Sequence, residues 1–159
     1  MRRSAVRRIC SPPSPPRSNS RRHVLIREEP ATDLTLATRI LAHGGAIAAD
    51  GRIVLLTGEV VYAAGAGVAN RTMTPYDISI VRLRDGLDLF GTPPGDIGRY
   101  LDALRARPGA RAAALASDGT LVTADSLRSA VAALLHRPWE EAEAYAKAAG
   151  ALIGAYPVG

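Results

Sequence analysis

The chain has 159 residues, of which 47% are hydrophobic and only 4% aromatic, so it is long enough for one domain with an aliphatic core. Its net charge of +5 is uneven: residues 1–27 contain eight arginines and no acid, whereas residues 28–159 contain 12 basic and 15 acidic residues. A mildly acidic body with few aromatic side chains argues against a nucleic-acid partner. The single cysteine, Cys10, excludes an intrachain disulfide and a cysteine-based zinc site.

The first 30 residues differ in composition from the rest. Their central run, SPPSPPRSNSRR, buries almost no apolar surface, which predicts a disordered basic tail over residues 1–30 and one domain over residues 31–159. The alternative is a basic arm that contacts nucleic acid or anionic lipid. No apolar run has the length of a signal peptide or a transmembrane helix, so we expect a cytoplasmic protein with no membrane partner.

The body is predicted to begin with one helix and two hairpins. Asp33 is suited to cap a helix that ends at Gly44-Gly45. The strand ISIVRL (78–83) alternates as a half-buried strand would, and Asp85-Gly86 is a strong hairpin turn. The predicted strand pairs are RIVLLTG (52–58) with EVVYAAG (59–65), and ISIVRL with LDLF (87–90).

The second half alternates helices with a third pair of strands. A helix follows Pro93-Pro94, and the buried strand ARAAALA (110–116) turns at Gly119 into another short strand. Two more helices follow, the last beginning at Pro138 and predicted to place Ala149 and Ile153 on its inner face. The sequence therefore predicts an α/β fold in layers, with a mostly antiparallel central sheet covered by helices.

Few residues carry obvious catalytic chemistry. No two of the three histidines have a metal-ligand spacing, and His43 and His136 both occupy helix ends, where a cation is favourable. The segment GAGVAN (65–70) lacks the Lys-Ser/Thr pair of a phosphate loop and is interpreted as a hairpin exit. Asp96, in the first turn of the helix after Pro93-Pro94, stabilises that helix or transfers protons.

Several segments together resemble the class II aldolase/adducin family over roughly residues 33–135. MTPYDISIVRLRDG (73–86) is similar to that family's Thr-Pro-x-Asp turn, strand and hairpin. TPPGDIGRYLDALRARPGARAAALA (92–116) is similar to its helix, Arg-x-Arg-Pro segment and central strand, and ATRILAHGGAIAADGRI (37–53) to its first helix and glycine turn. The family's enzymes are divalent-metal lyases, usually zinc-dependent, that act on small phosphorylated sugars.

The resemblance assigns family roles to particular positions. Asp96 falls where the family has its catalytic Glu, and Tyr100 falls where some members have a histidine. The His-x-His metal pair falls on Leu115 and Ser117, and neither is a good zinc ligand. The phosphate-binding turn falls on residues 51–54, where Arg52 is placed to meet an anion. We therefore expect no metal cofactor.

A second register is also compatible with the family pattern. SDGTLVTADSLRSAV (117–131) resembles the later segment that carries the third metal histidine, and this register puts Asp118 at that position. In either register, Ser117 and Asp118 are the polar candidates for ligand binding at the end of the strand. The candidate ligand is a small phosphorylated or carboxylated metabolite.

Three functions follow from these expectations. The first is a divergent class II aldolase/adducin-like protein without metal-dependent lyase activity. The second is an active lyase, dehydratase or isomerase that uses Asp96 and Tyr100. The third is a subunit that a paralogous partner completes, because the family's enzymes assemble as rings with sites between subunits. Assembly with itself or with a paralogue is expected in each case.

Overall fold

A six-stranded sheet lies at the centre of the fold, with helices on both faces. The computed structural model describes residues 28–155. The helices are α1 (Glu28–His43), α2 (Ile97–Ala106), α3 (Leu127–Leu135) and α4 (Trp139–Ala148). The strands are β1 (Ile53–Thr57), β2 (Val60–Ala64), β3 (Ile78–Arg82), β4 (Asp88–Phe90), β5 (Ala112–Leu115) and β6 (Leu121–Ala124), and a short 3₁₀ turn covers Asn70–Thr72.

The sheet is antiparallel at every described pairing, with the strand order β4-β3-β2-β1-β5-β6. Each of the three predicted strand pairs is present, as β1–β2, β3–β4 and β5–β6. The turn of the first hairpin needs Gly58, whose φ of +62° lies in the left-handed region that favours glycine. The predicted layered α/β fold with a mostly antiparallel central sheet is confirmed.

Two apolar clusters, one on each face of the sheet, hold the layers together. Successive side chains of a strand point to opposite faces, so Ile53 packs beneath α1 while Val54 packs against α2. The larger cluster joins the sheet to α1, α3 and α4, and the smaller one joins it to α2. The prediction of a half-buried β3 was wrong: residues 78–81 are all buried, because helices cover both faces.

The first helix begins earlier than its predicted cap. Asp33 lies inside α1, which begins at Glu28, so the prediction that Asp33 caps this helix was wrong. Ala31 and Leu34 are buried in the larger cluster, and this packing extends the helix towards its N-terminus. The predicted domain start at Ala31 therefore falls within α1, and the predicted tail lies outside the described residues except for Glu28–Pro30.

The last helix, α4, ends before Ala149 and Ile153, which were predicted to lie on its inner face. Helix α4 stops at Ala148, and Gly150 turns the chain with a φ of +78°. Ala149 is exposed and Ile153 is 77% exposed, so their predicted inward placement was wrong. The buried Arg39 side chain holds the turned segment, because its guanidinium donates to the carbonyls of Ala151 and Ile153.

Candidate functional site

Five of the predicted site residues lie at one end of the sheet, where β1, β3 and β6 begin and β2, β4 and β5 end. We call this the Arg52 end. Two loops meet there, because the Ala66 N–H donates to the carbonyl of Thr92 over 2.8 Å. The antiparallel order of the strands therefore brings distant residues together at the Arg52 end. Arg52 and Asp118, for example, are 66 positions apart in sequence.

Arg52 is buried at this end and turns its charge towards the protein. Its side chain is only 6% exposed. One terminal nitrogen donates to Asn70 Oδ1 over 3.0 Å and to the Gly51 carbonyl over 3.2 Å, and the other donates to the Val68 carbonyl over 2.9 Å. Its Nε has no hydrogen-bond partner among residues 28–155. Four described hydrogen bonds engage the two terminal nitrogens and the backbone N–H of Arg52. Arg52 therefore connects neighbouring loops, and its guanidinium faces acceptors of the protein rather than solvent.

Asn70 is a buried partner of Arg52 that the sequence analysis missed. It is 5% exposed, and its amide nitrogen donates to the Gly51 carbonyl over 2.9 Å while its oxygen accepts from Arg52. This amide joins the loop before β1 to the loop after β2. A signal was present in GAGVAN, since Asn70 is the only residue of that segment with a polar side chain.

Tyr100 and Asp96 approach the same cluster from the start of α2. The Tyr100 side chain is fully buried, and its hydroxyl accepts a 2.9 Å hydrogen bond from the backbone N–H of Arg52. Burial raises the pKa of Tyr100, the Arg52 N–H opposes that rise, and the nearby Asp96 carboxylate adds to it. Tyr100 is therefore held neutral as a hydrogen-bonding anchor.

Asp96 occupies the N-cap position of α2, one residue before the predicted first turn. Its side chain is half-buried and makes no capping hydrogen bond to the helix backbone. The carboxylate therefore interacts with the helix through its charge, which is favourable near an N-terminus. The Asp96 carboxylate is therefore not committed to capping α2.

The resemblance assigns Leu115 and Ser117 to the metal pair, and the structure places these two residues in different surroundings. Leu115 belongs to the smaller apolar cluster, together with Tyr100, Leu101 and Val54. Ser117 is exposed, and its backbone N–H donates to the Ala46 carbonyl over 2.9 Å. Within residues 28–155, no group of three or more His, Cys, Asp and Glu side chains is arranged to hold a metal ion.

Ser117 and Asp118 line a separate surface groove of about 480 Å³. His136 lies in the same groove and ends α3 in the left-handed conformation, with a φ of 58°. The Asp118 carboxylate accepts from the Thr120 backbone N–H over 2.9 Å, and this bond lowers the pKa of Asp118. Asp118 therefore closes the β5–β6 turn. The predicted ligand-binding residues divide between this groove and the buried cluster around Arg52.

None of the helices in residues 28–155 combines the length and hydrophobicity needed to span a bilayer.

A scan against protein-family models and a search of curated protein sequences both gave no match. Solved structures do match. L-fuculose 1-phosphate aldolase from Glaciozyma antarctica PI12 superposes with a TM-score of 0.59 and 17% identity, over 88% of this chain and 78% of that chain.

The chain shares the fold of that aldolase. The match supports the aldolase-like fold that the sequence resemblance implied. A second L-fuculose 1-phosphate aldolase superposes with a TM-score of 0.50 and 13% identity, over 55% of this chain and 43% of that chain. YgbL from Escherichia coli, an aldolase/epimerase/decarboxylase by description, matches with a TM-score of 0.49 and 21% identity over the same shares of the two chains. In these last two comparisons the match spans less than half of the solved chain.

Proposed function

We propose that this chain is a divergent class II aldolase/adducin-like protein that acts without the family's metal-dependent cleavage of sugar phosphates. The observation that carries the proposal is the environment of Leu115. This side chain, at the position of a metal histidine, packs among apolar residues between the sheet and α2. Leucine has no donor atom, and a neutral Ser117 hydroxyl is a poor zinc ligand. No enediolate-stabilising metal pair is available at these two positions.

The arrangement around Arg52 supports the same proposal. The turn that the resemblance assigns to phosphate binding contains Arg52. The terminal nitrogens of its guanidinium donate to Asn70, Gly51 and Val68. A sugar phosphate would have to displace these buried hydrogen bonds to reach the charge. The proposed ligand is therefore not a phosphate held by Arg52, and a small metabolite in the Ser117 and Asp118 groove is the remaining candidate at this end of the fold.

An active enzyme is the second candidate, and one observation favours it. The Asp96 carboxylate is half-buried, makes no capping bond and lies close enough to Tyr100 to raise the pKa of that hydroxyl. A carboxylate placed in this way is suited to transfer a proton in a metal-independent lyase, dehydratase or isomerase reaction. A paralogous subunit that supplies further groups at the Arg52 end is compatible with either function.

Metal loading tests the main proposal. The purified chain is incubated with zinc, passed through a desalting column and analysed for bound metal and for mass in solution. We expect no stoichiometric zinc, and no difference between the unaltered chain and the His43→Ala and His136→Ala variants. Zinc near one ion per chain that either variant abolishes would overturn the proposal. The mass measurement tests self-assembly separately, and we expect a species larger than one chain.

A further inference from the structure

The two edges of the sheet are protected very differently. Strand β4 has three residues, begins with the charged Asp88, and shifts its register against β3 between Ile80 and Val81. Short length, charge and irregularity all discourage a further strand from pairing. Strand β6, LVTA, has four residues, no charge and no proline, and keeps a regular register with β5.

The outer side of β6 carries backbone N–H and carbonyl groups that β5 does not pair. The Ala116 N–H donates to the Thr120 carbonyl over 2.8 Å, in the same register as the pair Leu115 and Leu121. Because hydrogen-bonded and non-hydrogen-bonded pairs alternate along an antiparallel ladder, the backbone groups of Leu121 and Thr123 point away from β5. These two residues therefore present N–H and carbonyl groups to whatever lies beside the edge.

One side chain covers this edge. The Arg107 guanidinium, at the end of α2, donates to the Thr123 carbonyl over 2.7 Å and to the Thr123 hydroxyl over 3.1 Å. Its other nitrogen contacts the Asp125 carboxylate over 3.2 Å. The side chains of Arg107 and Asp125 are 49% and 79% exposed, so their ion pair adds little to stability. The contact occupies the position that a neighbouring strand would take.

We propose that Arg107 holds the β6 edge closed against antiparallel pairing with β6 of a second copy of this chain. Two identical antiparallel strands related by a twofold axis are self-complementary, because each residue pair occurs twice. Leu121 and Thr123 would each supply one donor and one acceptor to such a pair. Removal of the guanidinium frees the Thr123 carbonyl and opens the uncharged strand.

Sedimentation velocity on the full chain tests this edge with a matched pair of variants. Arg107→Ala opens the edge. Arg105→Ala removes the same charge near the end of α2. The Arg105 guanidinium donates to the Leu83 carbonyl and the Asp102 carboxylate, and none of its described hydrogen bonds reaches β6. With the unaltered chain as baseline, we expect about a twofold rise in weight-average mass for Arg107→Ala. We expect no rise for Arg105→Ala.

A second substitution locates the association. Thr123→Pro, added to Arg107→Ala, removes an outward N–H that β5 does not use, and edge strands tolerate proline at such positions. We expect the double variant to return to the baseline mass. Asp125→Ala releases only one end of Arg107 and should give a smaller rise. The proposal is wrong if Arg107→Ala stays at the baseline at every concentration, if Arg105→Ala associates equally, or if association survives Thr123→Pro.

Discussion

The backbone N–H of Arg52 donates to the Tyr100 hydroxyl over 2.9 Å and thereby joins the start of β1 to the first turns of α2. Both residues are buried, so water does not compete for this bond. Arg52 is thus anchored at two points: Tyr100 fixes its backbone, and Asn70 fixes its guanidinium. The candidate site is a buried, hydrogen-bonded polar cluster, and its contribution to the free energy of unfolding can be measured.

Tyr100→Phe should destabilise the fold by about 1–3 kcal/mol, because the Arg52 N–H then remains buried without an acceptor. Tyr145→Phe is the matched control, since Tyr145 is 61% exposed, and its effect should be close to zero. Urea denaturation followed by the fluorescence of the single tryptophan, Trp139, reports the free energy of unfolding. Equal effects of the two substitutions would show that the Tyr100 hydroxyl is dispensable.

Arg52→Met should lower the free energy of unfolding by about 2–4 kcal/mol. The substitution leaves Asn70 Oδ1 and the Val68 carbonyl without their donor, and hydrogen bonds from charged groups are each worth about 1.5–3 kcal/mol. Relief from burying the charge offsets part of that loss. Arg84→Met, on an exposed arginine, is the control and should have little effect.

Phosphate distinguishes this structural role of Arg52 from an anion-binding role. A ligand that binds only the folded state raises the melting temperature. We expect millimolar phosphate to shift the melting temperatures of the unaltered chain and of the Arg52→Met variant equally. A shift confined to the unaltered chain would mean that Arg52 binds anions despite its internal contacts.

Asp96→Asn separates the two candidate functions. If Asp96 only interacts with the dipole of α2, its replacement should cost about 0.5–1 kcal/mol and change no binding property. If it transfers protons, the variant should lose on the order of 100-fold or more in rate. We expect the structural outcome. Small sugar phosphates are screened for retro-aldol cleavage, and turnover that vanishes in a normally folded variant would establish an enzyme.

Asp33→Asn should stabilise the protein at neutral pH. Burial raises the pKa of Asp33 above its ordinary value of 3.8, and the Glu29 carboxylate raises it further, against the opposing charge of Arg128. The folded state then holds this proton more tightly than the unfolded state. The contribution of the Asp33 carboxyl to stability is fully present below pH 3.8. It is lost as the pH rises through the pKa that this group has in the folded state.

The increase in the free energy of unfolding from Asp33→Asn should therefore appear at pH 7. It should disappear near pH 3, because this pH is below the ordinary pKa of a carboxyl group. Chemical denaturation of the unaltered chain and the variant across this range measures the difference. Asp50→Asn, on an exposed carboxyl, is the control and should leave stability unchanged. A variant that is equally destabilised at both pH values would point to lost contacts of Asp33 rather than to its charge.

Local sequence patterns determined the elements and their hairpins. Glycine at the turns and continuous apolar runs are short-range signals, so β1–β2 and β5–β6 were predictable from the residues that form them. Element ends were less predictable, since packing decided them. Leu34 and Ala31 extended α1 past its expected cap, and the turn at Gly150 placed Ile153 outside the core.

The sequence by itself determined the residue types at the candidate site, namely one arginine, two aspartates, one tyrosine and one serine, with no histidine pair. Only the tertiary structure decided which groups these side chains contact, because their partners lie far away in the chain. Asn70 and Tyr100 meet Arg52 from 18 and 48 positions away, and no local periodicity encodes such contacts. The antiparallel order of the strands brought these loops together, and burial placed the Arg52 guanidinium against acceptors of the protein itself.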